Sequence, residues 1–185
     1  MPEIQTPNTK HRFKRKNIVI LAAVLAAAIL LLISLFTGGW HKPVDNIFKS
    51  ISNGDESVYK KSMPDCQVNY YSSMIKDYDD YKTVDDFIKY RLNYIIKKLE
   101  KTYGSDIKAN YSVNSKNELD SEQLESIKSD LCNQYGCKEL DVSKGYTLEI
   151  NAEFAGSEKS DRKTMKIQVA KIDGKWCAVN DLPIE

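Results

Sequence analysis

The stretch Met165-Lys-Ile-Gln-Val-Ala-Lys-Ile-Asp-Gly-Lys-Trp-Cys-Ala-Val179 decides the fold. Met165, Ile167 and Val169 share one side of an extended chain, because successive side chains of a strand point to opposite faces. Asp173-Gly174 then supplies a two-residue turn of the kind that closes a tight hairpin. The segment from Lys175 to Val179 must therefore return antiparallel to the one before it. In that register Lys171 faces Trp176 and Val169 faces Ala178, so Trp176 joins the apolar face while Cys177 and Val179 point to the other side.

The same period of two recurs upstream. Tyr146, Leu148, Ile150, Ala152 and Phe154 alternate with Thr147, Glu149, Asn151 and Glu153, and Ile107, Ala109, Tyr111 and Val113 alternate with Lys108, Asn110, Ser112 and Asn114. Each is the pattern of a strand with one buried and one wet face. Between them a helix from Asp120 to about Tyr135 turns Leu124, Ile127 and Leu131 inward. Its start is well specified: Leu119 precedes the N-cap Asp120, and Gln123 can reach back to the cap.

Helical spacing governs the preceding part. Val44, Ile47, Phe48 and Ile51 follow Pro43, which suits a first helical turn, and Asn53-Gly54-Asp55 interrupts them. A short helix holds Val58, Tyr59 and Met63 before Pro64. Another after Asp65 carries Val68, Tyr71 and Ile75 and runs into a loop at Asp77-Tyr78-Asp79-Asp80-Tyr81. The clearest helix starts at the N-cap Thr83, with Asp86 three residues on. It places Val84, Phe87, Ile88, Leu92, Ile95, Ile96, Leu99 and Tyr103 on one face, and Gly104 ends it. The expected class is α+β, with helices packed on one face of a curved antiparallel sheet.

The order of elements and the closing run from Val169 to Trp176 resemble the nuclear transport factor 2-like superfamily, the cystatin-like cone. They resemble in particular its small membrane-tethered bacterial members from Gram-positive organisms, which often end in a strand, an Asp-Gly turn and a Trp-bearing last strand. The resemblance covers roughly Pro43 to Val179. It implies a cone-like fold more than an activity, since that superfamily hosts enzymes, binding modules and assembly factors alike.

Residues Ile18 to Phe36 form an apolar run of nineteen broken only by Ser34. At about 1.5 Å per residue such a helix reaches about 28 Å, close to the thickness of a bilayer's hydrocarbon core. Lys10, Arg12, Lys14, Arg15 and Lys16 precede it, whereas the next fifteen residues offer only Lys42 and Lys49. The positive-inside bias then places residues 1–17 in the cytoplasm as a basic tail, 18–36 across the membrane as a single-pass transmembrane helix, 37–42 as a tether and 43–185 as one extracellular domain. Trp40 suits the headgroup level. A cleaved signal peptide is the rival reading; its apolar core is usually shorter, and no small-x-small cleavage site follows Phe36. A lipoprotein is disfavoured because the first cysteine is Cys66. Removing the tail's five basic residues and Glu3 from totals of 27 and 26 leaves 22 basic against 25 acidic residues, interspersed, which argues against nucleic acid as a partner.

Motifs for chemistry are sparse. The 2 histidines are His11 in the tail and His41 beside the span, which leaves a Ser-His-Asp or Cys-His arrangement little to work with. Cys132 and Cys137 lack a second pair at ligand spacing, so no zinc site is expected. Asp77, Asp79 and Asp80 do not open a calcium loop, because Lys82 and Ile88 stand where Gly and Glu would be needed. No cofactor or metal is expected, and no catalytic residue is assigned.

The 11 tyrosines stand out. Tyr111, Tyr146 and Trp176 are candidate cavity-lining residues, since related cone folds can use Tyr with a buried acid for proton transfer; no Asp or Glu occupies an inward strand position here. Tyr70, Tyr71, Tyr78 and Tyr81, with Asp79 and Asp80, form a candidate partner surface. For the thiols, Gly136 fits the left-handed position after the helix. Cys132 and Cys137 then sit where a Schellman ending brings side chains together, and outside the cell they are expected to form a disulfide. Two free cysteines packing as small hydrophobes is the alternative, and Cys66 and Cys177 stay unassigned.

These readings converge on a membrane-anchored, extracytoplasmic, non-enzymatic binding or assembly module that contacts a protein or cell-wall partner near the membrane, with homo-oligomerisation open. In topology it is similar to assembly proteins of type IV secretion or conjugation channels, and to the membrane-proximal domain of some penicillin-binding proteins without their transpeptidase motifs. The alternative is a cone that binds a small apolar ligand or isomerises it, which would need a buried acid in a ligand-sized cavity. An inward-signalling sensor is weakened by the short tail.

Overall fold

The computed structural model describes residues 39–137, 139–180 and 182. Helices α1 (Lys42–Asn53), α2 (Glu56–Lys60), α3 (Asp65–Met74) and α4 (Val84–Tyr103) come first. Strand β1 (Lys108–Glu118), helix α5 (Ser121–Tyr135) and strands β2 (Val142–Ala155), β3 (Ser160–Ile172) and β4 (Lys175–Ala178) follow. The four strands form one antiparallel sheet in the order β1-β2-β3-β4.

Local signals explain the boundaries. Thr83 Oγ1 accepts the Asp86 N–H at 3.1 Å while Asp86 Oδ2 accepts the Thr83 N–H at 2.8 Å, a reciprocal capping box that starts α4. Asp120 and Gln123 do the same for α5, at 2.8 and 3.0 Å. The Asp173-Gly174 turn sets Val169 opposite Ala178 and Lys171 opposite Trp176, with both turn residues at positive φ. Strand β1 runs on to Glu118, past a register shift between Val113 and Ser115. Beyond the shift Lys116, not an apolar residue, stands opposite Leu148.

One core lies between the sheet and α1 to α4. Val44, Ile47, Phe48 and Ile51 of α1 and Ile88, Leu92, Leu99 and Tyr103 of α4 meet Leu148, Ile150, Ala152 and Phe154 of β2 and Met165, Ile167 and Val169 of β3. The edges are partly covered. The Ala109 N–H on β1 donates to Ser52 Oγ at 2.8 Å, and the Ala178 N–H on β4 donates to the Ser62 carbonyl at 2.8 Å. Such contacts occupy backbone groups that would otherwise template another strand.

The fold departs from expectation in two ways. The single-pass membrane helix expected at residues 18–36 lies outside the described residues, and among those residues no helix is long and apolar enough to cross a membrane. The longest, α4, has one apolar stripe and exposes Lys89, Lys97, Glu100 and Lys101. The fold class is therefore corrected to the α+β domain itself, without a spanning helix among the described residues. Secondly, helices cover both faces of the sheet. Leu119 before α5 and its Ile127 and Leu131 build a second core with Ala170, Ile172 and Cys177, which point away from the first. Gly145 permits this: a Cβ there would lie 2.6 Å from Leu119 Cδ1 and 3.1 Å from Leu124 Cδ2.

Candidate functional site

Because α4 carries a wide apolar stripe, part of that stripe exceeds what the sheet covers. Val84, Phe87, Ile95 and Ile96 are only half-buried. Phe87, Tyr90, Arg91, Tyr94, Ile95 and Lys98, with Leu182 from the end of the described chain, line an open groove of about 410 Å³. Tyr90 and Tyr94 are 55% and 57% exposed. The loop before α4 extends this surface: Tyr78 is 53% exposed, and the Tyr81 ring lies 5.2 Å from Phe87 and 5.6 Å from Tyr90. Partial burial, then the neighbouring Tyr90 and Asp80, push the Tyr81 phenol above its ordinary range. Lys98 Nζ sits 5.9 Å from the Tyr94 ring centre, and the Arg91 guanidinium 5.3 Å from that of Tyr71. Asp79 and Asp80 are exposed in the loop before α4.

The expected partner surface thus divides. Tyr78, Asp79 and Asp80 are exposed, Tyr81 is half-buried and joins the groove, and Tyr70 is 39% exposed against Tyr135. Tyr71 is interior: its hydroxyl accepts the Gln67 Nε2–H at 2.9 Å, and its ring meets Phe87 at 5.0 Å. Sequence reasoning missed Tyr90 and Tyr94. Their spacing of four, one turn beyond Phe87, placed them on one side of the helix, but they lie outside the stripe that an inward face requires.

Of the three candidate cavity residues, Tyr146 and Trp176 meet each other and Tyr111 lies apart. Tyr146 stacks on Trp176, with centroids 5.6 Å apart and planes 13° off parallel, and meets the Trp40 edge at 6.3 Å. Lys116, brought to the inner face by the β1 register shift, lies 4.8 Å from the Trp40 centroid and 4.7 Å from that of Tyr146. Trp40 packs on the domain in this way. Tyr111 sits further along the sheet against Phe48 at 4.9 Å and donates to Asp45 Oδ1 at 2.5 Å, while His41 Nε2 lies 3.7 Å from Asp45 Oδ2. Burial, then the hydrogen bond and charge of Asp45, push the Tyr111 phenol upward. Asp45 is half exposed, so it is a solvated carboxylate that pins α1 to β1, not a buried acid poised for proton transfer.

A smaller cavity of about 240 Å³ lies where α3 and the end of α5 meet β4, among Tyr59, Ser62, Gln67, Gln134, Tyr135 and Asn180. Among the described residues its lining holds no carboxylate. The four cysteines gather nearby and are free thiols, and among the described residues no cluster of His, Cys, Asp and Glu is arranged to hold a metal ion. Comparison with protein-family models, with curated proteins and with solved structures gives no match for this chain.

Proposed function

We propose that residues 39–182 form a non-enzymatic, extracytoplasmic binding or assembly module that contacts a protein or cell-envelope partner through the tyrosine groove of α4. The observation that carries this reading is the exposure of Tyr90 and Tyr94 on one groove whose lining also includes Arg91 and Lys98. Tyr and Arg are the residues that contact surfaces concentrate, because they bring large area and a polar group with few torsions to fix. The envelope location rests on sequence alone, on the apolar run 18–36 and its one-sided basic flank. The order of helices, strand, helix and meander supports the cone resemblance. Against the ligand-isomerising alternative, the carboxylate beside Tyr111 is solvated, and the polar groups that line the cavity near α3 among the described residues are amides and hydroxyls, beside apolar Ile47, Met63, Ala178 and Val179.

Proximity labelling from the full chain in its own cell, compared with a Tyr90→Ser/Tyr94→Ser variant at equal abundance, tests the proposal. Neighbours enriched by the wild type and lost with the variant support it. Equal enrichment by both sinks the groove as the contact surface.

A further inference from the structure

Cys66 lies near the start of α3, Cys132 in the last turn of α5, Cys137 just beyond it and Cys177 on β4, and all four reach the second core. Their contacts separate them. Cys177 is 1% exposed, and its thiol donates to the Met63 carbonyl at 3.5 Å. At the end of α5 the Gly136 N–H donates to the Cys132 carbonyl at 2.9 Å with Gly136 at φ 67°. That is the single-bond left-handed ending, and it lacks the further bond by which a Schellman turn draws the next residue back over the helix. Cys137 instead lies toward α3: its thiol donates to the Leu131 carbonyl at 3.6 Å, and Cys137 is the neighbouring group that, after burial, holds the Cys66 thiol above its ordinary range. The rings fix the same approach independently, with Tyr135 of α5 centred 5.6 Å from Tyr70 and 6.1 Å from Tyr71 of α3. Cys66 and Cys137 are both half-buried, open enough for an oxidant to reach.

We propose that Cys66 and Cys137 are a redox pair whose disulfide ties α3 to the segment after α5. The oxidant is another disulfide, a small molecule of the glutathione type or a protein of the exchange class. The Cys137 thiolate attacks it, forming a mixed disulfide and releasing one thiol. Cys66 then loses its proton and attacks the Cys137 sulfur, expelling the second thiol. Two cysteines thereby give up two protons and two electrons, one sulfur–sulfur bond forms, and the oxidant's breaks. Burial, then Cys137 itself, push the Cys66 thiol up to about 12, which fits it to the second, intramolecular step, where proximity replaces reactivity. Gln67 follows Cys66, and Gln134 and Tyr135 precede Cys137; these three side chains line the cavity near β4. The bridge therefore sets how far that cavity can open.

The test uses the full chain in mild detergent, reduced, checked for folding by circular dichroism and then treated with oxidised glutathione. Trypsin leaves Cys132 and Cys137 on one peptide, so chymotryptic cleavage after Tyr135 is added before non-reducing mass spectrometry. The expected product is a peptide with Cys66 linked to one with Cys137, accompanied by a rise of roughly 10 °C in the thermal midpoint. Cys132→Ser should keep both results, and Cys137→Ser should lose both. A link from Cys137 to Cys132 or Cys177 overturns the proposal. So does folded, oxidant-treated protein in which Cys66 and Cys137 both still react with an alkylating agent.

Discussion

Tyr146 and Tyr94 each stand beside a lysine, yet their surroundings oppose them. Tyr146 is enclosed: Trp176 stacks on its face, Trp40 meets it edge-on, and Lys116 lies 4.7 Å from its centroid. Tyr94 is 57% exposed, with Lys98 the charge beside it and an open groove along its helix. The aromatic line on the inner face, from Trp176 to Tyr111 and Phe48, is spent on holding α1 and the sheet together. Tyr90 and Tyr94 on α4 are left unspent by the fold. Tyrosine content alone does not mark a contact surface; what marks it is tyrosine where folding has no use for it.

The largest effect expected from this contrast is at Phe154, 1% exposed between Phe48 at 5.9 Å and Tyr103 at 6.0 Å. Phe154→Ala should cost about 3–5 kcal/mol in urea unfolding of the domain, whereas Tyr94→Ala should stay within about 0.5 kcal/mol of wild type. Comparable losses at the two positions would erase the distinction between core and surface rings.

Lys116 sharpens the inner half. Lys116→Met keeps the apolar stem and removes the charge from between Trp40 and Tyr146, and it should cost about 1 kcal/mol by the same measurement. No loss would mean that the lysine merely lies over rings that pack without it.

A pH test separates Tyr111 from the groove. Its phenol ionises less readily in the folded chain than at the ordinary value of 10.0, because burial and then Asp45 favour the neutral form. The stability it contributes is therefore complete below pH 10.0 and lost as pH climbs above that value toward the raised one. With Tyr111 only half-buried the loss is discounted for solvent screening, to about 1 kcal/mol relative to Tyr111→Phe. A Tyr111→Phe variant whose stability falls as steeply above pH 10.0 would place the alkaline transition elsewhere.

Much of this architecture was legible in the sequence, for identifiable reasons. The Asp173-Gly174 turn fixes the β3–β4 register by geometry alone, and the two capping boxes fix helix starts because backbone and side chain satisfy each other locally. The side of the sheet that α5 covers was not legible. Leu124, Ile127 and Leu131 announce an apolar stripe, but the stripe does not say which face it meets. Gly145, Ala170 and Ile172, small or apolar at positions whose parity reads as wet, were the available signal. The second half of β1 carries Ser115, Lys116, Asn117 and Glu118, with no alternation to read, and it is a strand because β2 pairs with it. The approach of Tyr135 at the end of α5 to Tyr70 and Tyr71 of α3 depends on how the two helices cross, which no local pattern contains. Tyr90 and Tyr94 were overlooked because an inward stripe was sought, and they lie at its margin.

The most direct measurement of the central claim is site-resolved photo-crosslinking in the organism's own cells, with the photoreactive residue at Tyr90, at Tyr94 and, as the contrasting position, at Arg162 on exposed β3. One and the same crosslinked partner is expected from Tyr90 and Tyr94, and no such product from Arg162. Crosslinks that arise equally from Arg162, or from Arg162 alone, would contradict the claim.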